Sequence, residues 1–240
     1  CMGRSSLGNL HIGAKRRLNH NMMNVKLISY SQPPAESELS EDLLQMVAYC
    51  ARVSNPSNQN NEATSEKLVN YLIKHQHWSP LEMVSACLEI DTTRDIGRQI
   101  LRHRSFSFQE FSQRYADPTQ DMTFVRRGAR LQDPKNRQNS IDAAPQTTQD
   151  LWDLKQQEVI NLSKGVYEWA IKEGIAKEQA RAVLPEGNTM SRMYVNGTIR
   201  SWVHYIQLRA ANGTQQEHIH IAKAVAEVIY KIFPLNDIIC

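Results

Sequence analysis

Cysteine is scarce in this chain of 240 residues: Cys1, Cys50, Cys87 and Cys240 are all there is. They form no C-x-x-C pair and have no histidines at ligand spacing, which argues against a zinc site or any other metal and against a disulfide framework. Neither a G-x-G-x-x-G stretch nor a P-loop occurs, so any dinucleotide is held without those devices. No apolar run is long enough to span a bilayer and no signal-peptide core is visible. That argues against a membrane partner and makes the cytoplasm the expected compartment. With 7% aromatics and a net charge of +3, the chain lacks the stacking platforms and the broad positive field of a nucleic-acid binder. No internal repeat is found. The composition is that of a soluble globule, long enough for one domain or at most two small ones.

What the chain does concentrate is polar chemistry between Arg102 and Tyr115, Arg-His-Arg-Ser-Phe-Ser-Phe-Gln-Glu-Phe-Ser-Gln-Arg-Tyr. Three consecutive basic residues cannot all face one partner, so the run suits one or two ligands with several negative charges. Arginine forks hold phosphate bidentately. Upstream, Thr92–Arg102 reads as a helix with a threonine N-cap, and Gln99 and Arg102, three apart, share a face. Downstream, Glu110, Ser112 and Arg114 alternate, so an extended backbone puts all three on one side. A second basic set lies on the predicted helix Thr198–Ala210. Arg200 and His204 share a face there, whereas Arg209, nine residues past Arg200, is half a revolution away.

The remaining pattern is mixed. Val25–Tyr30, Met83–Asp91 and Met190–Val195 read as strands. Ser40–Ala51 (N-cap Ser40), Ser65–His75, Thr147–Lys172 and Lys177–Leu184 read as helices, and Thr214–Glu217 as a capping box opening a last helix. Helices outnumber strands and do not alternate regularly with them, so the expected class is α+β, one domain with an antiparallel sheet flanked by helices. Residues 1–21 read as a disordered leader or extension ahead of a domain over 22–240. The long aperiodic stretch Ala116–Gln146, with Arg126, Arg127, Arg130 and Lys135, reads either as a cover for an anionic ligand or as a mobile surface excursion. Cys87 reads as a small buried hydrophobe.

Arg-His-Arg followed after seven residues by Ser112 resembles the signature of the flavin-dependent thymidylate synthases. The likeness extends from about Val25 to Phe233 and includes Ala51–Ser54, Lys74–Glu82, Gln99–Tyr115, Ala180–Pro185 and Leu208-Arg209. It implies homotetramers with active sites shared between subunits, and formation of dTMP from dUMP. Methylenetetrahydrofolate would be the carbon donor, and FAD reduced by NADPH the hydride source. It further implies dUMP contacts from Gln99, Arg102, Glu110, Ser112, Arg114, Arg181 and Arg209. FAD contacts are implied from Ser79, Arg102, His103, Arg104, Ser105, Glu110, Thr198, Arg200 and His204, with His77 beside the flavin. Arg209, Ser112 and His77 would be the catalytic set, Ser112 as a positioning hydroxyl. No cysteine here has the Pro-Cys context of the flavin-free thymidylate synthases. His204 and Gly213 depart from the residues many members carry, asparagine and histidine.

Overall fold

In the computed structural model residues 23–235 are described. The expected leader, residues 1–21, lies outside them, as do Cys1 and Cys240. Strand β1 (Asn24–Tyr30) is followed by helices α1 (Leu43–Ala51) and α2 (Ser65–Lys74). The cap of α1 is Asp42 rather than the expected Ser40: its carboxylate accepts from the Leu44 N–H at 2.7 Å, while Ser40 Oγ accepts from the Asp42 N–H. A carboxylate satisfies that donor and also faces the positive end of the helix dipole.

Strand β2 (Ser85–Thr93) runs without a loop into α3 (Arg94–Ile100), and β3 (Ser107–Glu110) follows the Arg-His-Arg turn. The 116–146 stretch holds a short helix α4 (Pro118–Asp121) and a two-rung hairpin, β4 (Leu131–Gln132) with β5 (Ser140–Ile141). Then come α5 (Gln146–Lys172), α6 (Lys177–Ala180), β6 (Met190–Thr198), α7 (Ile199–Arg209) and α8 (Gln216–Ile232). The four-stranded sheet has the order β1-β2-β6-β3 and is antiparallel throughout, so the α+β expectation holds. The central pair β2–β6 is in register over nine residues, from Ser85 opposite Thr198 to Thr93 opposite Met190.

Period-two burial explains the pair. Ala86, Leu88 and Ile90 of β2 and Met193, Val195 and Gly197 of β6 turn inward. Arg192, on the other face of β6, grips Asp91 across the strands at 2.7 and 2.9 Å. The inward face packs against Leu43 and Val47 of α1, Trp202 and Ile206 of α7, and Ile221, Val225 and Ile229 of α8 in one apolar core. A smaller cluster, Tyr167, Ala170, Ala180 and Leu184, joins α5 to α6. Cys87 is only half-buried, because it alternates with Ala86 and Leu88 and so stands on the face away from the core, and burial pushes its thiol up.

Candidate active site

Because β2 and β6 are antiparallel and each feeds a helix directly, α3 and α7 start from opposite ends of the sheet. Thr198 ends β6 and caps α7, its Oγ1 accepting from the Ser201 N–H. Near that end stand four of the expected flavin residues. Arg200 donates to Glu82 at 2.8 Å, and His204 lies against Trp78, ring centroids 4.4 Å apart, with its basicity lowered by burial and then by Arg200. Ser79 opens the short turn that carries Glu82, and Thr198 caps the helix itself. His77 is exposed and sits 6.1 Å from the Tyr71 ring and 6.3 Å from His75.

The other end of α7, about 13.5 Å along the axis at 1.5 Å per residue, meets the Arg-His-Arg turn. Arg209 donates its Nε–H to His103 Nε2 at 2.9 Å. The His103 ring lies 5.0 Å from Tyr205, and its pKa falls to about 4 through burial and then the Arg209 charge. A neutral ring is what can accept that bond. Gln99, on α3, donates to Gln215 at 2.9 Å, and its carbonyl oxygen lies 3.0 Å from His218 Nδ1. Arg102, Arg104 and Ser105 are exposed on the turn, and neither arginine has an ion-pair partner among the described residues.

Glu110 points back into the fold. It accepts from Ser191 Oγ at 2.9 Å and lies 3.5 Å from the buried Arg94 guanidinium. Gly97 lets this happen, since a Cβ there would come within 3.2 Å of Met193 and 3.7 Å of Glu110. The expected common face of Glu110, Ser112 and Arg114 is not formed. Strand β3 ends at Glu110, and Tyr115 and Ala116 both donate to the Ser112 carbonyl, so the chain turns there. Ser112 Oγ accepts the Arg114 N–H, at 3.4 Å, and among the described residues it has no hydrogen bond to an acid or an imidazole. Arg114 leans toward Glu178 of α6 at 3.8 Å, and Arg181 follows in the same segment.

Three of the four arginines of the 116–146 stretch make ion pairs within the fold. Arg126 pairs with Asp153, Arg127 with Asp95, and Arg130 with Glu217 at 2.6 Å. These pairs tie the segment to α3, α5 and α8. The capping box is also absent. Thr214 donates to the Leu208 carbonyl, while Glu217 bonds Gln215 and Arg130. Sequence reasoning missed Arg94, Tyr205, Gln215, Glu217 and His218 as neighbours of the site. His218 and Gln99 are 119 residues apart, and no local spacing ties them.

The chain matches the thymidylate synthase complementing protein family over residues 37–235. The chain belongs to the flavin-dependent thymidylate synthase family. It is 48% identical over 212 residues to a probable flavin-dependent thymidylate synthase of Paramecium bursaria Chlorella virus 1, covering 88% of this chain and 96% of that protein. It is 46% identical over 215 residues to the flavin-dependent thymidylate synthase of a Synechocystis species, with the same two coverages. In fold it is similar to a UMP/dUMP methylase, PolB, from Streptomyces cacaoi, solved with 5-Br dUMP. That likeness has a TM-score of 0.73 at 23% identity and covers 88% of this chain and 91% of that one. Membership in the flavin-dependent thymidylate synthase family places the chain among enzymes that make thymidylate with a flavin. Among the described residues no helix is long and apolar enough to cross a membrane, and no group of three or more His, Cys, Asp or Glu residues is arranged to hold a metal.

Proposed function

We propose that this protein converts dUMP to dTMP in the cytoplasm, taking a one-carbon unit from methylenetetrahydrofolate and using NADPH as the reductant. The observation that carries the reading is the convergence of Gln99, His103 and Arg209 beside the unpaired cations Arg102 and Arg104. FAD, when bound, supplies the hydride that completes the methyl group. The residues present fit it: exposed arginines without carboxylate partners and the Ser79 and Ser105 hydroxyls suit a pyrophosphate, and the Trp78–His204 pair offers flat rings.

On this reading Arg102, Arg114 and Arg181 hold the dUMP phosphate, and Gln99 orients the nucleotide. Arg209 lies against the uracil, where a guanidinium favours a ring deprotonated at nitrogen 3. Neutral His103 takes the Arg209 Nε–H and so fixes the plane of the fork, leaving its terminal N–H groups for the base. Ser112, with no base beside it, positions the nucleotide and does not attack it. Glu110 meets Ser191 and Arg94 through Oε1, which leaves Oε2 for a ligand.

No hydrogen bond or ion pair among the described residues joins the Arg200–His204 group, the Gln99–Arg209 group and the Arg114–Arg181 group to one another. On this reading full sites form between copies of the chain, in the homotetramer that the family resemblance implies. An outward apolar stripe on α5, with Leu162 70% and Trp169 57% exposed, supports such self-association.

The test is anaerobic visible spectroscopy of the purified protein. NADPH should bleach the flavin, and methylenetetrahydrofolate should restore colour and yield dTMP only when dUMP is present. A protein that binds no added FAD, or that reoxidises equally without dUMP and forms no dTMP, ends the reading.

A further inference from the structure

A continuous line of hydrogen bonds runs through the site from the core to the surface. Tyr205 Oη lies 3.0 Å from His218 Nε2, and His218 Nδ1 lies 3.0 Å from Gln99 Oε1. Gln99 Nε2 donates to Gln215 Oε1 at 2.9 Å, and Gln215 Nε2 donates to Glu217 Oε2 at 2.9 Å. The other Glu217 oxygen takes Arg130 at 2.6 Å, and Arg130 also donates to Ser140 of β5.

The direction of this line is forced from one end. An ionised carboxylate only accepts. Glu217 is buried yet remains on the acid side of its usual range, because hydrogen bonds, with Arg130 first, outweigh desolvation. Gln215 must therefore turn its NH2 to Glu217 and its carbonyl to Gln99. Gln99 must turn its NH2 to Gln215 and its carbonyl to His218. His218 must then carry its proton on Nδ1, and Tyr205 must donate to Nε2. His218 has no exposed surface, and burial followed by the Arg209 charge lowers its pKa to about 3, so the ring is neutral and each nitrogen has one role. The two orientations of a glutamine amide, ordinarily interchangeable, are not interchangeable here.

We propose that His218 is a positioning residue that, with Glu217 and Gln215, locks the Gln99 amide in one orientation and so presents one carbonyl lone pair and one N–H to the bound nucleotide. This rests on the reading of Gln99 as a dUMP contact. The same line makes the 116–146 segment, through Arg130, part of the support for the nucleotide end of the site.

The experiment is a double-mutant cycle between Gln99→Ala and His218→Gln, read as the dUMP dissociation constant by calorimetry and as KM and kcat for dTMP formation. An asparagine amide nitrogen stands where Nδ1 stands, and a glutamine amide nitrogen stands where Nε2 stands. His218→Asn therefore restores the donor to Gln99 and recovers most of the affinity, whereas His218→Gln raises the dUMP dissociation constant about tenfold with kcat little changed. Added to Gln99→Ala, His218→Gln costs nothing more, because coupled residues are not additive. Unchanged binding in His218→Gln, equal loss in both His218 variants, or full additivity with Gln99→Ala overturns the inference while dTMP formation by the wild type stands. Absence of dUMP binding by the wild type overturns this inference and the functional reading together.

Discussion

Arg209 spends one of its five N–H donors on His103 and, on the proposed reading, keeps the others for a nucleotide base. Lysine carries charge but no fork, so Arg209→Lys loses both the bond to His103 and the planar contact. A hydrogen bond to a charged group is worth about 1.5–3 kcal/mol, or roughly tenfold to hundredfold. The expected result is a fall of that size in kcat/KM, with FAD content unchanged. Ser112→Ala should weaken dUMP binding yet keep turnover at saturating dUMP; loss of turnover with intact binding would make Ser112 reactive. His103 and His218 also set a pH dependence. Both are neutral when folded down to about 4 and about 3, but protonate near 6.5 when unfolded. Below pH 6.5 the unfolded chain therefore binds more protons, and stability falls toward pH 4. Urea midpoints at pH 7.5 and pH 5.0 check this, the lower pH giving the lower midpoint. An equal or higher midpoint at pH 5.0 would mean that these rings are not buried neutral. At this scale the sequence revealed residue types but not their orientation. Glu110 was a legible carboxylate, yet its inward turn depends on Arg94 and Ser191, and Ser191 is 81 residues away.

Elements were more legible than contacts. The 3.6-residue period of α5 and α7 and the period-two burial of β2 and β6 come from local patterning, and Gly174, at φ +80°, ends α5 as a C-terminal glycine does. The caps were misread and the loop ion pairs went unseen because the partners lie elsewhere: Thr214 has the Leu208 carbonyl, and Arg127 has Asp95. Two glycines separate tight packing from mere flexibility. A Cβ on Gly197 in β6 would fall 2.3 Å from the Phe106 ring, which lies tilted against Trp202, centroids 4.5 Å apart, directly after the Arg-His-Arg turn. Gly197→Ala should cost about 1–3 kcal/mol by overpacking and weaken FAD retention by displacing that turn. Gly165, mid-helix in α5, has nothing within 4 Å of a Cβ, so Gly165→Ala should gain about 0.5–1 kcal/mol. Thermal melts of the two variants should move in opposite directions.

At the scale of the whole molecule, the order β1-β2-β6-β3 was not readable, because β2 pairs with a strand about a hundred residues later. Strands were recognisable one by one, but their partners depend on which faces bury together. Nor did the sequence expose the outward stripe of α5, since Leu151, Leu162 and Trp169 look like core residues until the inward side is seen to be Ile160, Tyr167 and Ala170. Leu162→Glu combined with Trp169→Glu should leave the fold intact and reduce the assembly to smaller species by light scattering. dTMP formation should fall with it. Full activity in a dispersed protein would place a complete site within one chain.

Helix α7 has a grip at each end, Arg200 near its start and Arg209 at its finish, and one short rod of eleven residues joins them. A rod this short hardly bends, so a tilt that settles one grip alters the other. On the proposed assignment of Arg200 to the flavin and Arg209 to the nucleotide, the two ligands then report on each other through the backbone alone. Reciprocity requires the two effects to be equal: whatever factor FAD contributes to dUMP affinity, dUMP must return to FAD.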